Sequence, residues 1–216
     1  MSTRTDLEAM VGSGEQVLWR GTPLKKCFIF ESIFNPMLPF ALLWAVFDIG
    51  FIVLSSKSSN QSGADKSLGI FLIVFFAIHL MPVWLYLGGV LLSFRRYKNT
   101  AYIITDKGIY VSGGTFTYNC RMKPFTELSN VNIHRGIFDQ MFNVGDVVLS
   151  SQNSVVYAGR AVGSGNSLTI TDIAEYQEVF SLVKQLQTDV YSDTMYPNDL
   201  RPEENHGYQT KYKGRM

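Results

Sequence analysis

Two ionisable side chains, Asp48 and His79, stand inside runs that are otherwise apolar. Such a group costs about 2.5–3.5 kcal/mol on membrane-insertion scales, so it is expected to face a partner or a water-filled cavity. At ~1.5 Å per residue, Asp48 lies roughly 18 Å along its run from Pro36, and His79 roughly 22 Å from Phe94. Two antiparallel helices would therefore bring them to nearly the same depth, as a candidate intramembrane pair able to bind a proton or join the helices. Other chemistry is sparse. The remaining histidines are His134 and His206, and no HExxH, CxxC, GxSxG or Walker pattern occurs. No catalytic residue, cofactor site or metal ligand set is expected, and the chain does not read as an enzyme. His134-Arg135 lacks a carboxylate or serine placed by motif and reads as a solvated strand end. Gly163-Ser164-Gly165-Asn166 lacks the Lys-Ser/Thr ending of a phosphate loop and reads as a turn. Cys27 and Cys120 are too few and too far apart for a disulfide framework or a zinc site. Cys27, beside Lys25 and Lys26, is at most an S-acylation candidate.

The elements that must carry Asp48 and His79 are two apolar runs. Leu68–Phe94 holds no carboxylate, lysine or arginine before Arg95 and Arg96. About 20 apolar residues of helix cross a bilayer, so this run spans with room for tilt. Asn35–Ser55 is apolar apart from its ends and Asp48, with Pro36 and Pro39 in the first turn, where a missing N–H costs least. Spans are thus expected at about 35–55 and 68–94, joined by a solvated loop over 56–67. Lys57 and Lys66 lie in that loop, whereas Arg20, Lys25, Lys26, Arg95, Arg96 and Lys98 flank the pair. That asymmetry puts both termini in the cytoplasm and the loop outside. Lys25, Lys26, Arg95, Arg96 and Lys98 are the candidate membrane-facing basic residues.

The rest of the 216 residues leaves room for one domain of modest size. Residues 1–27 read as a cytoplasmic segment with a short helix at Asp6–Met10 and a short strand at 15–20. After Lys98 the period changes to two, with Phe116, Tyr118, Cys120 and Met122 alternating against Thr117, Asn119, Arg121 and Lys123 as a half-buried strand. Further strands are expected at Ala101–Thr105, Ile109–Ser112, Leu128–His134, Val144–Leu149, Val155–Ala158 and Leu168–Thr171. One amphipathic helix follows over Ile173–Gln187, with Ile173, Tyr176, Phe180, Val183 and Leu186 on one stripe. Asp172 and Glu175 would form its capping box. Residues 190–216 read as a disordered polar tail. The net charge of +1 gives no nucleic-acid signature. Arg121, Lys123, Arg135 and Arg160 could form a basic patch, but read better as an ordinary solvated face.

Four stretches in order resemble the bacterial pleckstrin-homology-like family that includes YdbS- and YdbT-type membrane proteins. They are Gly14–Arg20 (GEQVLWR), Tyr102–Ile109 (YIITDKGI), Pro124–Val131 (PFTELSNV) and Gly136–Gly145 (GIFDQMFNVG). The resemblance covers about residues 14–188. It implies a membrane α plus soluble β protein: a two-helix hairpin over 28–94, then a seven-stranded, partly open barrel over 98–189 with a C-terminal helix. One departure is visible: Gln140, Met141, Phe142 and Asn143 stand where the family usually has a basic residue, Leu, Phe and Gly. No catalytic residues come with the family. Phosphoinositide binding by the eukaryotic fold relatives needs basic residues around the loop between the first two strands, taken here as Asp106-Lys107-Gly108. One lysine beside a carboxylate does not suffice, so specific phosphoinositide binding is not expected. The reading is a membrane-anchored, non-enzymatic module, integral among membrane lipids, that engages a protein partner or forms a homo-oligomer. Few charges guard Val144–Leu149, which makes it the expected pairing edge. The alternative is a membrane-active subunit of a transport or antimicrobial-peptide defence system, in which the hairpin itself works.

Overall fold

The computed structural model describes residues 3–59, 66–151, 156–157, 160–161 and 167–195. The turn at 163–166, the tail beyond 195 with His206, the Arg160 side chain and most of the loop between the apolar runs lie outside the described residues.

The chain divides into two compact units, Met1–Phe28 with Arg95–Met216, and Ile29–Phe94. The first unit begins with α1 (Thr3–Glu8) and β1 (Val17–Gly21). It resumes with β2 (Ala101–Thr105), β3 (Gly108–Gly113) and β4 (Asn119–Pro124), a 3-10 turn at Phe125–Glu127 and β5 (Asn130–His134). Then come α6 (Ile137–Phe142), β6 (Gly145–Ser150), the short pair β7 (Val156–Tyr157) and β8 (Arg160–Ala161), β9 (Leu168–Ile173) and α7 (Tyr176–Met195). Between β1 and β2 run α2 (Lys25–Ile33), α3 (Met37–Ser59), α4 (Lys66–His79) and α5 (Met81–Asn99).

Two antiparallel sheets result, ordered β1-β2-β3-β4 and β5-β6-β9. Their buried residues share one core with α7: Tyr102, Ile104 and Ile109 from the first sheet, Val147, Leu149 and Ile170 from the second, and Val179, Leu182, Val183 and Leu186 from the helix. A smaller cluster joins Leu7 of α1 to Ala101, Ile103 and Tyr110. The expected boundary at Lys98 therefore moves. Residues 1–28 are part of this domain, because β1 pairs with β2 through Trp19↔Ile104, Arg20↔Ile103 and Gly21↔Tyr102. It follows that the connection between the first two strands is the whole helical stretch, and Asp106-Lys107-Gly108 is instead the turn between β2 and β3.

Several strand expectations change for reasons of packing. β6 pairs on both sides, with β5 and with β9, so Val144–Leu149 is not an exposed edge. Phe116 falls outside β4, and within it Met122 is 42% exposed while Lys123 is buried. β4 is an edge strand, where one neighbour and loose cover let the alternation invert. Lys123 donates to Ser151 Oγ at 3.3 Å, and burial lowers its pKa. Ile173 belongs to β9, paired with Gly145, so the last helix starts at Tyr176. Asp172 is in the left-handed region at φ 56° and does not open the helix. Glu175 accepts a bond from Trp19 Nε1 at 3.2 Å instead of serving a capping box.

In the second unit, α3 contains a segment long and apolar enough to cross a membrane, Met37–Ser55. Asn35 caps it, its Oδ1 accepting from Met37 N at 2.8 Å. The second apolar run is not one straight helix. Ile70–His79 and Met81–Asn99 meet at a bend of 52°. Pro82 accounts for it, since it has no N–H to give and its ring crowds the preceding turn. Leu80 still donates to the Phe76 carbonyl at 2.9 Å, but Val83 donates to Leu80 rather than reaching back to His79. Two indoles serve the carbonyls around the break: Trp44 Nε1 donates to His79 O at 2.7 Å and Trp84 Nε1 to Ala77 O at 3.1 Å.

Candidate functional site

Asp48 is fully buried, although its neighbours on α3, Phe47 and Ile49, are exposed. Its Oδ1 lies 2.8 Å from His79 Nδ1. Trp44, one turn before Asp48, stacks on the imidazole at 5.1 Å, and Phe75, one turn before His79, stacks on it at 5.2 Å. The break at Leu80 frees the His79 carbonyl for the Trp44 indole, so ring and backbone of His79 are both held by one tryptophan. Asp48 Oδ2 is buried with no hydrogen-bond partner among the described residues. The contact joins a carboxylate to an imidazole, two groups able to share a proton. Chemically it can bind helix to helix and hold one proton.

The basic residues flanking the apolar runs are exposed. Lys25 and Lys26 open α2, and Arg95, Arg96 and Lys98 close α5. Arg96 lies over the Phe28 ring at 5.1 Å, Phe28 meets Tyr97 at 5.9 Å, and Arg95 lies over Phe116 at 5.8 Å. Cations and rings thus alternate where the chain leaves and re-enters the sheet domain. The suggested basic patch loses members. Lys123 is buried, and Arg135 is spent on the Val144 carbonyl at 2.8 Å and on the Tyr176 ring at 4.8 Å. His134 is half-buried in β5.

One cluster has no sequence signal. Cys27, Asp139 and Asp172 are all buried, with their ligand-type atoms within 4.8 Å of one another. Cys27 Sγ donates to Asp139 Oδ1 at 3.5 Å, and Asp139 Oδ2 accepts from Gly136 N at 2.6 Å. Leu24 N donates to the Asp172 carbonyl at 2.7 Å. Burial first, then the Asp172 carboxylate, pushes the thiol far up, so it keeps its proton and acts as a donor. The cluster ties the start of α2 to α6 and β9. A buried thiol of this kind is also closed to acylation. The residues stand 112 and 33 positions apart in sequence, so neither spacing nor periodicity could have joined them.

At α6 the departure from the family pattern has a local explanation. Asn143 is the left-handed cap at φ 53°, a position that suits Gly and, next to it, Asn. Ile137 and Met141 on this short helix are 83% and 58% exposed.

Four- and three-stranded antiparallel sheets packed with one long C-terminal helix fit a PH-like fold. The model of the bacterial PH domain family matches residues 40–187, and the chain belongs to that family. The match begins inside α3 and leaves out β1. No curated protein and no solved structure matches the chain.

Proposed function

We propose that the protein is a membrane-anchored, non-enzymatic PH-like module of the bacterial cytoplasmic membrane. It crosses the bilayer twice, with both termini cytoplasmic, and its partly open barrel engages a protein partner or a second copy. One observation carries the membrane part: the helical stretch leaves the sheet at Gly21 and returns at Ala101, beside Gly21's partner Tyr102. If Met37–Ser55 crosses, the chain must cross back to complete the same sheet, and the bent pair Ile70–His79 with Met81–Asn99 is the stretch that can do so. The excess of Lys and Arg at the sheet end supports a cytoplasmic domain.

Exposed Ile137 and Met141 on α6 support the binding role, since an ordinary solvated helix would carry polar groups there. A photo-crosslinking amino acid at Ile137 in cell membranes is expected to give a defined adduct. An adduct of twice the chain mass means a second copy, and any other defined mass means a different partner. Absence of any adduct from either Ile137 or Met141 would contradict partner engagement. The Asp48–His79 contact favours a second reading, in which the hairpin is the working part of a transport or antimicrobial-peptide defence assembly. Loss of transport or of antimicrobial-peptide resistance in Asp48→Asn cells, with crosslinking from Ile137 intact, would favour that reading over the first.

A further inference from the structure

We infer that the turn between β3 and β4 is a membrane foot, with Phe116 seated among the lipid headgroups of the cytoplasmic leaflet beside Arg95. This rests on the proposed membrane reading and adds a lipid-contacting surface within the PH-like domain itself. Phe116 is 73% exposed at the tip of residues 114–118. The turn is not free to choose its neighbours. Asn99 Nδ2 donates to the Gly114 carbonyl at 2.9 Å, and Ser112 Oγ donates to the Asn99 carbonyl at 3.1 Å. Gly114 holds φ +128°, and a Cβ there would collide with the Thr117 carbonyl, so the turn has one shape.

These bonds fix the turn to the last helical turn of α5. Arg95 is the first charged residue after the apolar run, and Asn99 is four residues later, about 6 Å along a helix axis. The headgroup layer on each side of a bilayer is roughly 5–8 Å thick, half the difference between total and hydrocarbon thickness. A turn bonded to Asn99, with its phenyl ring under the Arg95 guanidinium at 5.8 Å, is therefore held at headgroup depth. Arginine over an aromatic ring suits that layer, since the cation can meet phosphate while the ring meets the acyl boundary. The occupant is thus a lipid surface, which connectivity brings within reach of this ring.

The test uses the full chain in vesicles of phosphatidylcholine and phosphatidylglycerol, with Cys120→Ser and a nitroxide label at Thr117→Cys. Labels at Val46→Cys on α3 and Lys107→Cys in the β2–β3 turn serve as references. The expected result is accessibility to an aqueous nickel complex at Thr117 several-fold below that at Lys107, with Phe116→Ser erasing at least half of the difference. A label at Thr117 as water-exposed as the one at Lys107, while Val46 reads as hydrocarbon, overturns the foot and leaves the spans standing. A water-exposed Val46 overturns the membrane reading, and the foot with it.

Discussion

A chain in which residues 29–94 are replaced by a short Gly-Ser linker is expected to fold as a soluble domain with a cooperative thermal transition. Residues 98–189 alone are expected not to. The shorter piece lacks β1, and with it the pairing of Trp19, Arg20 and Gly21 to β2 and the packing of Leu18 and Trp19 on the main core. It also lacks Leu7, fully buried on Ala101, Ile103 and Tyr110, where truncation of one such side chain costs about 2–5 kcal/mol. Glu15 goes too, whose carboxylate accepts from Thr105 Oγ at 2.8 Å and Tyr110 OH at 3.0 Å. Together these losses rival the whole stability of an ordinary domain, about 5–15 kcal/mol. Circular dichroism melting of both chains decides it. Equal cooperative melting would show that the N-terminal strand is dispensable.

The second large effect is expected at the Asp48–His79 pair. His79→Leu strands the Asp48 carboxylate in a buried position with neither oxygen bonded, at a cost of about 3–5 kcal/mol if the charge is retained. Asp48→Asn should weaken the contact between α3 and α4 on its own, and should weaken it less when His79 is already leucine. The non-additivity expected for groups in direct contact is about 0.5–3 kcal/mol, read from denaturation of the full chain in detergent. Cysteines at both positions should also cross-link in membranes. Additive effects together with no cross-link would remove the pair, and with it the case for a working hairpin.

Much of this architecture is legible in the sequence because its signals are local. The apolar runs, the period-two stretches and the amphipathic stripe of the last helix each depend on neighbours a few residues apart. The helical rise places Asp48 and His79 at comparable distances along two antiparallel helices, and in the structure their side chains meet at 2.8 Å. What the sequence hides is long-range. Val17–Gly21 reads as a strand, but nothing local says that its partner lies beyond the helices at Ala101–Thr105. Val144–Leu149 reads as an unguarded edge because its two neighbours, β5 and β9, come from both sides in sequence. The burial of Lys123 and the gathering of Cys27, Asp139 and Asp172 follow from packing alone. Pro82 is the exception. It stood in plain view inside an apolar run, and the bend at Leu80 is the usual consequence of such a residue.

The measurement that bears most directly on the account is the sidedness of the insertion between β1 and β2. Single cysteines at Ser59, Lys107 and Thr210 are treated in intact cells with a membrane-impermeant maleimide, and again after lysis. Lys107 is an exposed position in the sheet domain. Two crossings with a cytoplasmic PH-like domain predict that Ser59→Cys reacts in intact cells, while Lys107→Cys and Thr210→Cys react only after lysis. Reaction of Lys107→Cys before lysis, or protection of Ser59→Cys until lysis, would contradict the account.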